Sequence, residues 1–471
     1  MISDDVPQFP RGFVLSMRPV DVPSSFEPGP LLSNFHVHPW LRVDLAGDAD
    51  QFVAVLGICV RITGTDPDPA GTLLERLRSS EEEFFRAIDD YAGRHAIIYG
   101  TATAPRVVND ATGMRAVFYA ADGGVISSHA LLVERALGGE IERNPLPFQY
   151  GYPGNRTPYE RTRLLIPNTS LEIDTARVFR FWPTLAPAER TVDEVAEMAL
   201  EAAANALREI SQGRNVKLAL TAGLDSRTML AVALRSGVSF ETYTYGRGND
   251  TATDRAVAAD LSAQYGIEYT VTPKVLNTAP LRQHLEEAHY KRLHAPMVNS
   301  LMSWFADPSA VSVSANLLEI GRSFYRADRR AKRSSPTTAA AMSELHQRKM
   351  GPAAREDIDT FGQDYYKAQS DAAFQEFIDD TAFEQSVGYL DPFDQFYWEH
   401  RMATWHGTGM LERDFYAEAF IPFNARSIFE AMLGIPQNHR DSAAVFYRMI
   451  ESVDPRLLDM PINPKEWPPK T

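Results

Sequence analysis

A chain of 471 residues is long enough for roughly two or three domains with sizeable cores, and 44% hydrophobic with 23% charged residues is ordinary globular composition. A formal net charge of −15 excludes the basic surface that non-specific nucleic-acid binding needs. The single cysteine, Cys59, excludes an internal disulfide and a cysteine-built metal site; its setting, FVAVLGICVRI, marks a buried core thiol rather than a nucleophile.

The first ten residues, MISDDVPQFP, are acidic and lack the apolar core of a signal peptide. No apolar run reaches the roughly 18 residues of a membrane span, so a cytoplasmic protein is expected. From about residue 10 to 182 the chain reads as short strands, among them Phe52–Ile62, His95–Tyr99, Ala116–Tyr119 and Val125–Ser127. Two helical stretches interrupt them, Pro69–Arg78 and Glu81–Tyr91, the second with Phe84, Phe85 and Ile88 at helical spacing. Phe181-Trp182-Pro183 closes this region, and Pro183–Arg190 reads as a linker. Thr191 and Glu194 form a Thr-x-x-Glu capping signature that opens a long helix to about Ser211. The domain boundary is placed here, giving domains at 1–186 and 187–471.

The most informative stretch is VKLALTAGLDSRTMLAVALRSG, Val216 to Gly237. An apolar strand feeds a small-residue turn, Thr221, Ala222, Gly223, Leu224, Asp225 and Ser226; helical composition follows from Arg227 to Arg235, with Gly237 as the stop. A strand that feeds such a turn and then a helix N-terminus is an anion site, because the first-turn N–H groups lack partners and the helix dipole adds positive potential. Asp225 is a poor phosphate ligand; its natural role is to hold a Mg2+ that bridges phosphate oxygens. Strand Phe240–Tyr245, helix Thr251–Tyr265 and strand Glu268–Thr272 continue the alternation of a doubly wound parallel sheet. Ligands of such sheets bind at the carboxyl ends of the strands, where Thr221–Asp225 falls.

Residues from about 275 to 450 are mainly helical by pattern. The basic run Arg326–Arg333 is expected to be a solvated loop, with a mobile lid over phosphates or an acidic substrate as the alternative. In YWEHRMATWH, an α-helix would bring Glu399, Met402 and His406 to similar faces. Glu399, His400 and His406 are candidate general bases for an attacking amine, and Arg413 and Arg426 are candidates to bind a substrate carboxylate or pyrophosphate.

The turn at Thr221–Ser226 resembles the pyrophosphate loop of the N-type ATP pyrophosphatases, Ser-Gly-Gly-x-Asp-Ser, with Thr221 for the Ser and Ala222 for the first Gly. No Gly-Lys-Ser/Thr follows, so it is not a Walker A loop. With Tyr243 and Tyr245 at the end of the next strand, these residues are the nucleotide-binding candidates. Both halves together resemble the asparagine synthetase superfamily. In the first half the likeness rests on Gly93–Tyr99, Asp110, Gly113, Arg115, Phe118-Tyr119, Ser127-Ser128 and Leu164–Thr169. In the second it rests on the loop, Ile320–Tyr325 and Ala419–Arg426.

The resemblance implies an α/β and α+β two-domain protein. Its parts are an Ntn-hydrolase-like, β-rich, glutaminase-like sandwich and a doubly wound ATP-pyrophosphatase (adenine nucleotide α-hydrolase-like) domain with a helical extension. It also implies ATP and Mg2+, with Glu319 as the metal ligand facing Asp225 and Asn316 as second choice. The chain departs from the family at residue 2, where Ile2 replaces the nucleophilic cysteine, and Ser3 is not placed for that role. The family's aspartate-binding Glu falls near Ala315, and the Tyr that β-lactam synthetases carry near there is missing, so aspartate is not the expected substrate. Lys465 and Lys470 are the terminal lysines available for the family's late Lys.

The expected activity is amide formation by adenylating a carboxylate-bearing small molecule or peptide and transferring it to an amine, in specialised metabolite or peptide biosynthesis, by a possible homodimer. The alternatives are an ammonia-dependent amidotransferase acting on a small acid or sugar acid, and a non-catalytic scaffold.

Overall fold

The computed structural model describes residues 6–144, 146, 151–246, 248–273, 279–290, 294–349 and 358–467. Ile2, Ser3 and Lys470 lie outside them. The chain is a mixed α/β protein. Its first half is built from β1 (Phe13–Ser16), β2 (Glu27–Pro28), β3 (Phe35–Val37), β4 (Val43–Gly47), β5 (Phe52–Arg61), α1 (Pro69–Ser79), α2 (Glu81–Ile88), β6 (Tyr91–Thr101), β7 (Ala104–Asn109), β8 (Phe118–Ala120), β9 (Val125–Ser127), α3 (Ala130–Leu137), β10 (Thr162–Leu164), β11 (Thr169–Glu172) and β12 (Val178–Arg180). These strands make two six-stranded antiparallel sheets, ordered β10-β8-β9-β1-β3-β2 and β12-β11-β7-β6-β5-β4.

Strand alternation explains the layering. Phe52, Ala54 and Leu56 of β5 point at Phe13, Leu15 and Ile126 of the facing sheet, while Val53 and Val55 point outward at Leu73, Leu74, Phe84 and Ile88 of α1 and α2. Cys59 is half-buried, not fully enclosed as the sequence suggests, because the last three residues of β5 run out past the covered part of the sheet. Tyr91, expected in the second helix, instead starts β6. Asp110 makes its own turn: its carboxylate accepts from the N–H groups of Thr112 (3.2 Å), Met114 (2.9 Å) and Arg115 (2.7 Å), and Gly113 takes a φ of +70°.

Residues 183–190 carry no regular structure, and α4 (Val192–Ile210) then starts on a complete Thr191–Glu194 capping box. The second half holds β13 (Asn215–Ala219), α5 (Leu224–Ser236), β14 (Phe240–Thr244), α6 (Ala252–Gln264), β15 (Tyr269–Val271), α7 (Ala279–Ala288), α8 (Ala295–Trp304), β16 (Ala310–Val313) and β17 (Glu418–Phe420). Its five strands are all parallel in the order β15-β14-β13-β16-β17. The chain order therefore reverses between β13 and β16, and the loops leaving those two strands diverge at that point.

The basic run is not a free loop. Arg326–Arg330 is helical, Arg329 pairs with Asp391 (2.6 Å) and Asp394 (2.7 Å), and Arg333 lies 3.3 Å from the buried Asp328. Arg333 thus meets an acid of the run itself, whereas the partners of Arg329 come from residues 391 and 394, which the local sequence does not reveal. The largest apolar core crosses both halves, from Phe9, Val14 and Phe118 to Leu200, Leu230, Phe420 and Ile450. Among the described residues no helix is long and apolar enough to cross a membrane.

Candidate active site

The strand-order reversal puts two segments side by side: the turn after β13 and the stretch after β16. Helix α5 starts at Leu224, earlier than the Arg227 the composition suggests, so Asp225 sits in its first turn. Its N-cap is Gly223, which has no side chain to accept from the first-turn donors; α4, by contrast, is fully capped. The first-turn N–H groups of α5 thus have no side-chain cap, and the helix dipole adds positive potential at them. Ser226 Oγ stiffens the turn, accepting from the Thr221 N–H (3.2 Å) and lying 2.9 Å from Thr221 Oγ1. The Ala222 N–H donates to Asp254 Oδ1 at 2.9 Å, so a carboxylate from the first turn of α6 already braces this loop.

After β16 the chain passes Ser314 and Asn316, turns sharply at Leu317 with a φ of 109°, and returns through the single turn Leu318–Ile320. This turn delivers Glu319. Arg322 Nη2 lies 2.6 Å from Asp225 Oδ1 and 3.4 Å from Glu319 Oε2, so the two carboxylates converge on one guanidinium nitrogen. Burial pushes the Asp225 carboxyl up to about 6; Arg322 opposes that rise and the charge of Glu319 adds to it. Two acidic oxygen donors aimed at one already cationic point fit a hard divalent ion such as Mg2+.

Arg413 reaches the same strand ends. Its Nη1 donates to Ser314 Oγ (3.1 Å) and its Nη2 to Asn316 Oδ1 (3.4 Å). Both of its chain neighbours are pinned. Glu412 lies 3.0 Å from His289 Nε2 and 2.9 Å from His294 Nδ1; burial works against its charge, but these hydrogen bonds hold it at about 2. Asp414 is fully buried in a pair with Arg94, with Arg115 at 3.6 Å, and its carbonyl accepts from Arg11 (2.5 Å). The backbone on both sides of Arg413 is therefore anchored, by Glu412 to the histidines of the helical part and by Asp414 to the arginines of the sandwich.

A third segment covers the loop. Arg227, fully buried in α5, donates to the carbonyls of Leu457 (3.2 Å), Met460 and Pro461 (3.3 Å). The Asn463 N–H donates to the Ala222 carbonyl at 3.0 Å. These bonds seat residues 457–463 against the turn; Lys465, two residues further on, is exposed.

Other predicted residues lie elsewhere. Tyr243 is buried among Trp304 and Phe305 with its hydroxyl 3.0 Å from Ser312 Oγ, while Tyr245 is 45% exposed beyond the strand end. Glu399 is fully buried with both oxygens on Arg180 (2.6 and 2.9 Å) and a bond from Asn168 (3.1 Å). His400 donates from Nε2 to the Tyr152 carbonyl (3.3 Å), stacks on Phe396, and is pushed well below the usual histidine range by burial. His406 is half-buried beside Trp405. Arg426 is buried, donating to Asn168 Oδ1 at 2.8 Å. The expected shared face of Glu399 and His406 is corrected as well: residues 397–407 form a π-helix, whose wider turn breaks the i, i+3, i+7 alignment. Glu399, His400 and Arg426 thus stitch the second half to the first. Sequence reasoning missed Asp254, Asn463 and Asp414; it offers Arg322 only as an i,i+3 partner of Glu319, a pair present here at 3.4 Å, and not as a partner of Asp225. Asp254 alone had a local signal, an acid in the first turn after the strand next to β13.

No family model matches the chain, and no curated protein matches it. Partial similarity is found to three solved structures. One is a glutamine-dependent NAD+ synthetase from Acinetobacter baumannii in complex with adenosine diphosphate (18% identity, TM-score 0.17, covering 36% of this chain and 31% of that one). Another is the glutamine phosphoribosylpyrophosphate amidotransferase of B. subtilis complexed with ADP and GMP (12%, TM-score 0.20, 57% of each). The third is an allosteric regulatory enzyme of purine biosynthesis (13%, TM-score 0.18, 66% and 60%). The chain spans less than two thirds of each of them. Likeness at this level carries neither fold detail nor activity across.

Proposed function

We propose that this chain is an ATP-dependent, AMP-forming carbon–nitrogen ligase of the asparagine synthetase type. The observation that carries the reading is the convergence of Asp225 and Glu319 on one point beside the uncapped N-terminus of α5, at the reversal of strand order. In this reading Thr221, Ser226 and the first-turn N–H groups of α5 bind the β- and γ-phosphates of ATP. Asp225 and Glu319 hold Mg2+, which would supply charge neutralisation at the phosphates. Arg413, bonded to Ser314 and Asn316 and flanked in the chain by two anchored acids, orients the carboxylate of the acid substrate, and Lys465 offers an exposed positive charge from the covering segment.

The chemistry runs in two steps. A carboxylate oxygen attacks the α-phosphorus, the bond from phosphorus to the α,β-bridging oxygen breaks, and pyrophosphate leaves. An amine nitrogen then attacks the acyl carbon, the acyl carbon–oxygen bond to AMP breaks, and the nitrogen loses a proton. The dipole and N–H groups of α5 stabilise the charge that develops on the departing pyrophosphate.

Incubation with MgATP and a panel of carboxylic acids, with hydroxylamine as trap, tests this. Hydroxamate together with AMP and pyrophosphate is the expected outcome. ADP and phosphate as products would overturn it. Ammonium supplied as the only amine then separates an ammonia-dependent amidotransferase from a ligase for larger amines.

A further inference from the structure

We propose that Arg322 is the resident counter-ion of the metal site: it yields Asp225 and Glu319 to a divalent cation and turns to the phosphates of the nucleotide. The proposal rests on the ligase reading above and adds to it a residue that the loop and its carboxylates do not supply.

The geometry is that of a contact made to be exchanged. A single nitrogen, Nη2, serves both acids, at 2.6 and 3.4 Å. The contact with Asp225 is an ion pair without hydrogen-bond alignment, since Asp225 Oδ1 is buried and has no hydrogen-bond partner. Arg322 Nε is likewise buried with none. A permanent arginine–carboxylate bridge uses the planar fork and makes two parallel bonds, as Arg180 does with Glu399. Arg322 leaves that capacity unspent and leans on the face of Phe446, its Cζ 5.6 Å from the ring centre.

Electrostatics gives the direction of the exchange. Two carboxylates pointed at one place repel unless a cation stands between them, and in the resting protein the guanidinium is that cation. A divalent ion at the same point offsets more charge and repels Arg322. The polyphosphate it accompanies is then the densest negative charge within reach, and it accepts the forked N–H groups that the carboxylates left idle.

Binding of Mn2+ to the protein alone, read by electron paramagnetic resonance, tests the first half. R322M should bind Mn2+ at least about fivefold tighter than wild type, because the competing charge is gone, with R322K in between. D225N should lose most Mn2+ binding. Titration of inorganic pyrophosphate at saturating Mn2+ tests the second half: R322M should bind it at least about fivefold more weakly, with partial recovery in R322K. Unchanged or weaker Mn2+ binding in R322M overturns the exchange. Tighter Mn2+ with unchanged pyrophosphate affinity overturns the transfer to phosphate. Equal Mn2+ binding by wild type and D225N would instead remove the metal site itself, and with it the ligase reading. Because R322K keeps the charge and stem, it separates a local effect from misfolding of R322M.

Discussion

Asp225 Oδ1 and Arg322 Nη2 meet at 2.6 Å, yet the acid is held above its ordinary range, not below it. Burial at the helix terminus and the neighbouring Glu319 outweigh the arginine. The protein therefore keeps at this point a carboxylate that is costly to ionise, as sites built for incoming charge do.

The cost is measurable. In the native state Asp225 titrates near 6, against 3.8 for the ordinary group, so the native form holds the proton more tightly. Its contribution to stability is fully present below pH 3.8 and is lost as pH rises through 6. Asp225→Asn should then be more stable than wild type at pH 7.5, by about 1 kcal/mol after discounting for a side chain one third exposed. The difference should shrink toward pH 4.5. Urea melts at the two pH values check this, and pyrophosphate exchange in the same variant should fall to near background.

Glu319 is more exposed, with 41% of its side chain accessible, so its removal tests chemistry with little structural cost. Glu319→Gln should slow ATP–pyrophosphate exchange on the order of a hundredfold. It should change stability by less than about 0.5 kcal/mol, the worth of a local i,i+3 pair. A normal exchange rate would remove it from the metal site and leave Asn316 as the next oxygen donor to test.

Glu399 should behave in the opposite way. Truncating one partner of a buried, doubly bonded pair strands the other charge, so Glu399→Gln should cost about 3–5 kcal/mol in unfolding free energy. Turnover per folded molecule should stay close to wild type. Stopped turnover in a variant of wild-type stability would return Glu399 to the reaction as a base.

Arg227 ties the covering segment to the helix that starts the loop. Arg227→Met leaves the carbonyls of Leu457, Met460 and Pro461 without their charged donor. Limited proteolysis should then cut within residues 457–467 much faster, with a loss of about 2–3 kcal/mol in stability. Unchanged protection of that segment would show that Asn463 and the apolar contacts suffice to hold it.

Legibility in the sequence followed the range of the interaction. The capping box at Thr191 and Glu194 and the strand–turn–helix at 215–236 are local, and their patterns read correctly to within a few residues. That Glu319 faces Asp225 was implied only by the family resemblance; in the structure the two meet one arginine because a parallel sheet places the ends of β13 and β16 side by side. Arg180 is 219 positions from Glu399, so nothing near residue 399 announced that its carboxylate was already taken. Likewise an assumed 3.6-residue period could not foresee the π-helix, and the charge of RADRRAKR gave no hint that Asp391 and Asp394 would meet Arg329.

The apolar core that runs from Phe9 to Ile450 has a consequence for how such a chain can change over time. Trp398 reaching the Ala111 carbonyl and Asn424 bonded to Asp110 make the two halves walls of one building. Cut at the 183–190 connection, each would expose a face made for the other, so a single thermal transition is the expected outcome of calorimetry on the intact chain. A sandwich held this way is kept by the folding of its neighbour, whatever becomes of its own chemistry, and its surface is free to drift while its inner wall is not.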